Sequence, residues 1–455
     1  MPSTKQTLLF SALLPLALPN QLLAENHTRD SSDYSNQYAG LMVGALLGLI
    51  DVERMIYIDP DAKVPVLKEL DPNIPRTRWD LEDYKVDGTG RKQTGGLSGS
   101  LQGSIGYDGN TMGDALNIED SAVFGVDLQL AYEMKNNPGL LWFGTSQYYY
   151  TDVPKGYEHL FENYTGGIKI NSPLGDKFLF SGEIELKHGD LGSVTSNDIT
   201  NGILESSRTT IETNLGIRYE FNDSMKLNLR YGNSYYDQSG DDQVDTNENR
   251  LRLGFDYKVR DRLNVFGGVT YINRDWDVVD FDSDGFRVDA GVRGTFPCGV
   301  NYLFGLNHEW RYYDNSSLRD RRMFGYTVQV DGAINDYNWG VYSNYGFADP
   351  NLPGASWLNM ADANGKLFGT YLSRQFGDDF VAMLYCYGLL LDADLFDSSD
   401  STNIYSQTGL RVEKKLSSDL TLGGTLGYEH HEFESGSFRE KDTSAAASLF
   451  IRRNW

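Results

Sequence analysis

The fold is decided by residues 208–236, which read RTTIETNLGIRYEF, then NDS, then MKLNLRYGNSYY. In both arms apolar and polar side chains alternate, as they do on a β-strand with one apolar and one polar face. A connection as short as Asn222, Asp223 and Ser224 joins antiparallel neighbours. The stretch therefore predicts a β-hairpin whose two faces meet different surroundings.

The same alternation repeats from Leu97 to the end of the chain and predicts 18 strands. They are longer than the average globular strand of about 5 or 6 residues, and long enough to cross a bilayer when tilted. The predicted strands are 97–107, 121–134, 140–151, 161–171, 177–188, 208–221, 225–237, 248–259, 263–275, 286–296, 300–313, 323–334, 337–347, 364–376, 380–391, 404–416, 420–432 and 443–455.

Short connections between these strands take turns with long ones of about 9 to 19 residues, as periplasmic turns and extracellular loops do in outer-membrane barrels. We therefore predict an all-β fold: a single antiparallel transmembrane β-barrel of about 18 strands, with 16 as the alternative. A soluble propeller or solenoid is the competing architecture, but the sequence has no blade motif at a fixed period.

The segments before the barrel have a different character. Residues 1–24 carry Lys5, an apolar run and a small-residue cleavage site, which predicts a secretory signal peptide. Residues 25–96 do not alternate, and we interpret them as a periplasmic leader or plug. Within them, residues 39–50 (AGLMVGALLGLI) are too short to cross a bilayer as a helix. They predict a small buried helix or tether, or a segment that enters the barrel lumen or docks on a partner.

The chain ends on an alternating strand, TSAAASLFIRRNW, whose last residue is Trp455. A terminal aromatic residue on such a strand resembles the signal by which the assembly machinery of Gram-negative outer membranes recognises its barrels. The resemblance implies that this machinery is a partner of the chain.

Short motifs extend this resemblance to the porin-like outer-membrane barrels of Gram-negative bacteria. Residues 106–110 (GYDGN) are similar to the GYDDN-type opening of a group of β-barrel porins, and 271–275 (YINRD) and 427–429 (GYE) resemble its strand ends. The resemblance spans residues 97–455 and implies an outer-membrane channel. It brings no substrate with it.

If the apolar faces meet lipid, the charged residues at alternating positions face the lumen. Charges of both signs around a lumen would create a transverse field that selects solutes by charge; the alternative is that they pair and fill a closed interior. The predicted lumen-lining residues are Glu183, Glu185, Glu212, Arg218, Arg230, Arg252, Asp256, Asp289, Arg293, Glu309, Arg311, Asp331, Arg411 and Glu413.

The net charge of −24 is concentrated in the predicted extracellular loops, where acidic residues far outnumber basic ones. An acidic outer vestibule favours cations or neutral solutes and disfavours nucleic acid. Two aspartate clusters, at 277, 280, 282 and 284 and at 392, 394, 397 and 400, are candidate divalent-cation ligands, but they lack an EF-hand pattern. Solvation and repulsion of anions is the favoured role for them.

Catalytic, metal-binding and cofactor signatures are missing from the sequence. It contains no phosphate-binding loop, Rossmann fingerprint or zinc motif, so we predict no catalytic residues, no metal and no cofactor. His430 and His431, beside Glu429 and Glu432 at a strand end, are the best candidates for a surface hydrolytic or metal site. The two cysteines, Cys298 and Cys386, are predicted to be unpaired.

The favoured function is therefore passive diffusion of small hydrophilic solutes through an outer-membrane channel. The main alternative is a structural or export barrel, such as the outer-membrane exit of a polysaccharide secretion system. A surface hydrolase is the third hypothesis. Expected partners are membrane lipid and lipopolysaccharide, the assembly machinery, and a periplasmic protein that contacts residues 25–96.

Overall fold

A computed structural model describes most of the chain from residue 96 onward. The described residues are 96–108, 121–133, 140–153, 157–193, 204–239, 246–276, 282–314, 320–347, 364–377, 379–394, 400–435 and 438–454. The predicted signal peptide, the leader with its apolar segment at 39–50, and Trp455 lie outside these residues.

All of the described elements are strands. They are β1 (Gly96–Asp108), β2 (Ser121–Glu133), β3 (Leu140–Val153), β4 (Tyr157–Leu174), β5 (Phe178–Ser193), β6 (Leu204–Asn222), β7 (Met225–Ser239), β8 (Thr246–Arg260), β9 (Leu263–Trp276), β10 (Ser283–Thr295), β11 (Asn301–Tyr313), β12 (Arg321–Ile334), β13 (Tyr337–Phe347), β14 (Asn364–Phe376), β15 (Phe380–Asp394), β16 (Asp400–Lys415), β17 (Leu420–Ser435) and β18 (Phe438–Asn454).

The strands form one antiparallel sheet of 18 members that closes on itself. β1 pairs with β2 and also with β18, in a register that runs from Ser100 opposite Asn454 to Asp108 opposite Ala446. Closure leaves no free sheet edge, and hydrocarbon requires this because it offers no water to an unpaired backbone group. The predicted 18-stranded barrel is confirmed, and the 16-stranded alternative is wrong.

The strands are longer at their outer ends than the sequence pattern predicts. β4 begins at Tyr157 rather than 161, β16 at Asp400 rather than 404, and β18 at Phe438 rather than 443. The connections at 154–156, 240–245, 277–282, 314–320, 395–399 and 436–437 have seven residues or fewer, so the prediction of loops of about 9 to 19 residues is wrong at these six outer positions. Both faces of a strand lie in water above the membrane, so backbone pairing continues there without alternation in the sequence.

The opposite end of the barrel has the tight turns that the sequence predicts. Gly175, Gly299, Asn335 and Gly377 have φ between 55° and 89°, and each lies in one of the predicted short turns. In the turn after β6, the side chain of Asn222 accepts hydrogen bonds from two backbone N–H groups of the turn, each 2.9 Å long. These local bonds fix the hairpin geometry and hence the register of the flanking strands.

In the turn between β16 and β17 an acidic side chain likewise accepts a local hydrogen bond. The hydroxyl group of Ser417 donates a 2.7 Å hydrogen bond to Asp419. This hydrogen bond is the main cause that lowers the pKa of the Asp419 carboxyl group, and the guanidinium of Arg453 adds to it. The carboxylate therefore remains charged in the turn under mildly acidic conditions.

The outward face of the barrel is apolar over its whole circumference. Large apolar side chains on all strands from β1 to β18 are exposed there, for example Leu101, Leu253 and Leu449 at 46%, 60% and 63%. In water such a continuous apolar surface would cause aggregation, whereas it is favourable in contact with the hydrocarbon of a membrane.

Aromatic side chains lie near the tight turns on this outward face. Phe178 packs on Tyr219 with ring centroids 4.7 Å apart, and Phe296 packs on Tyr302 at 4.3 Å. Arg374 lies 4.8 Å from the Tyr337 ring and donates a hydrogen bond to its hydroxyl oxygen. Aromatic and basic side chains of this kind are typical of the level where a barrel leaves the hydrocarbon.

Four inward-facing aromatic rings lie across a glycine of the neighbouring strand. The register pairs Phe266 with Gly291, Tyr371 with Gly340, Tyr385 with Gly409 and Phe450 with Gly423. In each pair a Cβ atom built on the glycine would overlap the ring. The aromatic side chain thus covers the backbone that the glycine leaves bare, which stabilises the strand pair and fixes its register.

Candidate functional site

The candidate site is the inner wall, defined as the face whose side chains alternate with the exposed apolar set. Arg252 and Asp289 are 8% and 4% exposed, although Leu253 beside Arg252 is 60% exposed. These two charged residues lie on β8 and β10, and their side chains meet across β9. Side chains two strands apart converge in this way on the concave face of a curved sheet, so the polar face is the inside.

All fourteen residues predicted to line the lumen lie on this inner wall. Glu212, Arg252, Asp289, Glu309, Arg311 and Arg411 are buried, and Glu183, Glu185, Arg218, Arg230, Asp256, Arg293, Asp331 and Glu413 are half-buried. That they line a water-filled channel stays a prediction.

The densest set of charges, the charged arc, consists of the inward-facing side chains of β8–β11. Arg252 donates a 2.7 Å hydrogen bond to Asp289. Its guanidinium passes over Gly268 of β9, where a Cβ atom would come within 2.8 Å of it. Arg293 contacts Asp256 across the same strand, 5.6 Å from the ring of Phe266. A glycine and a flat ring on β9 therefore let two ion pairs bridge β8 and β10.

Above these pairs, carboxylates of the charged arc each contact two arginines. Glu309 accepts hydrogen bonds from Arg287, 2.7 Å long, and from Arg311, 2.8 Å long. Glu248 accepts a 2.7 Å hydrogen bond from Arg274 and also contacts Arg250. Buried carboxylates are tolerated only with such partners, because an ion that leaves water loses several kcal/mol of hydration.

Several charges of the described inner wall were missed by the sequence analysis. Among them are Lys169, Glu248, Arg250, Arg274, Arg287 and Arg452. The signal was present, since Arg287 shares its alternation with Asp289 and Arg293, and Arg452 lies opposite the apolar series 445 to 451. The others lie close to strand ends or opposite a weak apolar face, where the alternation is difficult to assign.

The inner wall around β4–β6 is acidic. Glu183 contacts the ammonium group of Lys169, and Glu185 lies directly opposite Glu212 in the register of β5 and β6. Three carboxylates thus lie beside one ammonium group at this level. Nearer the turn, Arg218 donates a 3.1 Å hydrogen bond to the side chain of Asn228.

A second basic group lies on β16 and β18, close to the periplasmic turn. Glu413 contacts Arg411 on its own strand and Arg452, 3.2 Å away, on β18. The centroid of the Phe450 ring is 5.0 Å from the central guanidinium carbon of Arg411 and 5.9 Å from that of Arg452. Gly423 of β17 makes room for this ring.

The neutral arc consists of the inward-facing side chains of β13–β15. Tyr342, Leu367 and Met383 are among its buried residues, and in the described parts of these strands no charged side chain faces inward. Thr327 of β12 donates a 2.8 Å hydrogen bond to Asn344 of this arc. The inner wall is therefore asymmetric around the barrel axis.

Of the candidate hydrolytic residues, His430 lies on the outside of the barrel. His430 shares the outward face of β17 with Tyr428, and its Nε2 atom is 3.7 Å from Glu432. Ser406 lies opposite His430 in the register, but among the described side chains His430 makes no hydrogen bond to a serine. The side chain of His431 is outside the described part.

The described residues of the aspartate clusters do not form a metal site. Within the described residues no three His, Cys, Asp or Glu side chains come together as a metal site would require. Asp284 instead accepts a 2.6 Å hydrogen bond from the Tyr271 hydroxyl. The side chains at 277, 280, 392, 394, 397 and 400 lie outside the described set. Cys298 and Cys386 are free thiols.

No helix among the described residues is long and apolar enough to span a membrane.

Comparisons with known proteins find resemblance only in solved structures. No protein-family model matches the chain, and no curated protein matches it. The siderophore receptor PirA from Pseudomonas aeruginosa is 9% identical with a TM-score of 0.42, over 80% of this chain and 82% of that one. PirA from Acinetobacter baumannii is 8% identical with a TM-score of 0.45, over 80% and 81%. OccAB4 from Acinetobacter baumannii is 10% identical with a TM-score of 0.38, over 79% and 97%.

At such identities and scores these resemblances carry no argument about function, and the assignment of the fold rests on the molecule itself. An even number of antiparallel strands, closure, tight turns at one end, an apolar outer face with aromatic residues near the turns, and a polar inner wall occur together here. This combination defines an outer-membrane β-barrel.

Proposed function

We propose that the protein is an outer-membrane channel through which small hydrophilic solutes diffuse passively. The observation that supports this function is the pairing of β1 with β18 around a polar inner wall. Barrels of 16 to 18 strands are wide enough for an aqueous channel, whereas barrels of eight strands are filled by their own side chains. Charged side chains on the inner wall interact with solutes at close range and select among them.

Selectivity at the outer entrance follows from the acidic loops of the sequence. A negative vestibule raises the local concentration of cations and lowers that of anions, so cations and neutral solutes such as saccharides are favoured. The effect is electrostatic and decreases as salt concentration rises.

Conductance of the refolded full-length protein in a planar bilayer tests the channel. Stable current steps are expected, with a reversal potential in a salt gradient that indicates cation preference at low salt and weaker preference at 1 M salt. A heat-denatured sample is the control. If the native protein produces no steps, passive diffusion is excluded for the full-length chain.

The low exposure of the inner wall favours a second candidate, a closed barrel that serves structure or export. Arg311 and Tyr342 are each 1% exposed, which is less than side chains in open water would show. For this candidate the predicted leader, residues 25–96, acts as a plug or contacts a periplasmic partner. Conductance that appears only after deletion of 25–95 would support it, and equal conductance of both forms would exclude it.

A surface hydrolase at His430 is the third candidate. Its only geometric support is the contact of His430 with Glu432. Turnover of lipid or peptide substrates that disappears in His430→Ala would support it, and lack of turnover by the wild-type protein would remove it.

A further inference from the structure

The outward face of β11–β14, called here the basic outer face, carries two exposed basic side chains near its extracellular end. Arg322 lies 12 residues above the periplasmic end of β12, and Lys366 lies 10 residues above that of β14. Ten residues of a tilted strand rise about 25 Å, which is the height of the apolar band of an outer-membrane barrel. Both side chains therefore lie at the level where hydrocarbon ends and lipid headgroups begin.

These two cations are not neutralised by the barrel. Among the residues that the structure describes, the side chains of Arg322 and Lys366 form no ion pair and no hydrogen bond. On β8–β10, by contrast, outward polar side chains at this level bond to one another, as Asn273 does with Asp284 at 3.3 Å. Arg322 and Lys366 are therefore available to an anionic group that lies outside the barrel.

The charge of this face differs from that of its neighbours. In the described parts of β7, β9 and β10, the outward charges near the extracellular end are Asp237, Asp275 and Asp284. The whole chain is acidic, with a net charge of −24. A pair of cations on such a protein, at headgroup level, is complementary to the phosphate groups of membrane lipids.

The side chains below Arg322 fit the acyl part of a lipid. Phe324 follows Arg322 on the same face of β12 and is 75% exposed, and Leu306 on β11 is 69% exposed. No other large apolar side chain in the described strands is as exposed as these two. A projecting apolar pair beneath a cation offers contact to acyl chains whose headgroup the cation binds.

An aromatic surface lies between the two cations. Lys366 is opposite Tyr345 in the register, and Tyr345 is opposite Tyr326, with ring centroids 5.9 Å apart. Arg322 thus lies two strands from Lys366 and four residues further along its strand. Strand spacing and rise place the two Cα atoms about 16 Å apart. Two phosphates carried by the two sugars of a disaccharide fit this span, because both long side chains can extend toward them, and sugar rings lie well on tyrosine faces.

We propose that the basic outer face binds a phosphorylated glycolipid of the outer leaflet, with a disaccharide headgroup that carries two phosphates, as in lipopolysaccharide. Arg322 binds one phosphate through its guanidinium fork, and Lys366 binds the other. The sugars lie over Tyr326 and Tyr345, and acyl chains pack against Phe324. The inference goes beyond the proposed channel and does not depend on it, since this face is on the outside of the barrel.

Native mass spectrometry of the full-length protein in a mild detergent tests the proposal, with bis-phosphorylated lipid A as the probe. Lipid A is expected to bind more tightly than its dephosphorylated form and than phosphatidylglycerol, and added salt should weaken its binding. The double variant Arg322→Gln, Lys366→Gln removes both cations. Its affinity for lipid A should fall by about 10- to 100-fold, the value of one or two hydrogen bonds to a charged group.

The matched control is the double variant Lys414→Gln, Arg453→Gln, which loses the same charge from the outward face at the periplasmic ends of β16 and β18. Its affinity for lipid A should equal that of the wild type. The proposal is overturned if lipid A and its dephosphorylated form bind equally, if the Arg322 and Lys366 variant binds like the wild type, or if the control loses as much affinity. Equal binding of phosphatidylglycerol would overturn the disaccharide headgroup, and inorganic phosphate that binds as tightly as lipid A would overturn a lipid as the ligand.

Discussion

The charged arc and the neutral arc face the same lumen from strands of similar length, yet the first buries charged side chains and the second buries uncharged ones. In the charged arc Glu309 lies between Arg287 and Arg311, and in the neutral arc Leu367 and Tyr342 occupy the corresponding inward positions. The outward faces of the two arcs do not differ in this way. The comparison shows that contact with lipid requires apolar residues on one side of each strand. The residues on the other side can differ from one arc to the next.

The largest expected effect comes from breaking the charged arc at its centre with Glu309→Gln. This change removes the carboxylate that Arg287 and Arg311 both contact, and removal of one partner from a buried ion pair costs about 3 to 5 kcal/mol. The free energy of unfolding, measured by urea titration in lipid vesicles, should fall by that amount. Ser373→Ala on the neutral arc is the control, with an expected change of about 1 kcal/mol or less. Equal losses would show that the two arcs are not energetically different.

The second prediction concerns the face that the arcs share. Leu253 is on the outward face of a charged-arc strand, and Phe368 is on the outward face of a neutral-arc strand. They lie at similar heights above their turns, and each is replaced by arginine. An arginine that faces lipid near mid-depth costs about 2 to 4 kcal/mol, so both variants should be destabilised by similar amounts in the same assay. If only one of them is affected, the apolar outer face is not continuous around the barrel.

The third prediction compares a glycine of the neutral arc that an aromatic ring covers with a glycine of the charged arc that has more space. Gly340→Ala in the neutral arc places a methyl group where the Tyr371 ring lies, and overpacking of this kind costs about 1 to 3 kcal/mol. Gly305→Ala is the matched control in the charged arc, because the nearest atom to its added Cβ is 3.6 Å away, an ordinary contact. Urea titration should show a loss for the first variant and little change for the second. The reverse order would contradict the covering of Gly340 by Tyr371.

Much of this barrel could be predicted from the sequence because lipid imposes a strict rule. Alternation around Leu215 and Leu229 and turns such as Asn222 to Ser224 were enough for the number of strands, their order and the inward direction of the charged residues. The outer strand ends could not be predicted, because water on both faces removes the alternation there.

Which side chains pair on the inner wall could not be predicted from the sequence either. That Arg252 reaches Asp289, 37 positions away, depends on the register of three strands and on Gly268 between them. The asymmetry between the arcs follows from such pairings, and no local pattern encodes it. The partly used guanidinium of Arg411 belongs to the same class, since only the folded wall shows which of its donors Glu413 occupies.

The smallest expected effect is also the sharpest test of the difference between the arcs. Replacement of the whole group by Arg287→Met, Glu309→Leu and Arg311→Met converts part of the charged arc into apolar wall. A buried ion-pair group exchanged for packed apolar residues is often neutral or stabilising, because the loss of hydration of the ions disappears together with their attraction. The free energy of unfolding should therefore stay within about 1 kcal/mol of the wild type or rise, although Glu309→Gln alone lowers it strongly.

Bilayer measurements on the triple variant should show a changed ion selectivity, since two positive charges and one negative charge leave the wall. A triple variant as unstable as the single one would mean that the charged arc holds the barrel together, and its charges would then require no explanation from transport.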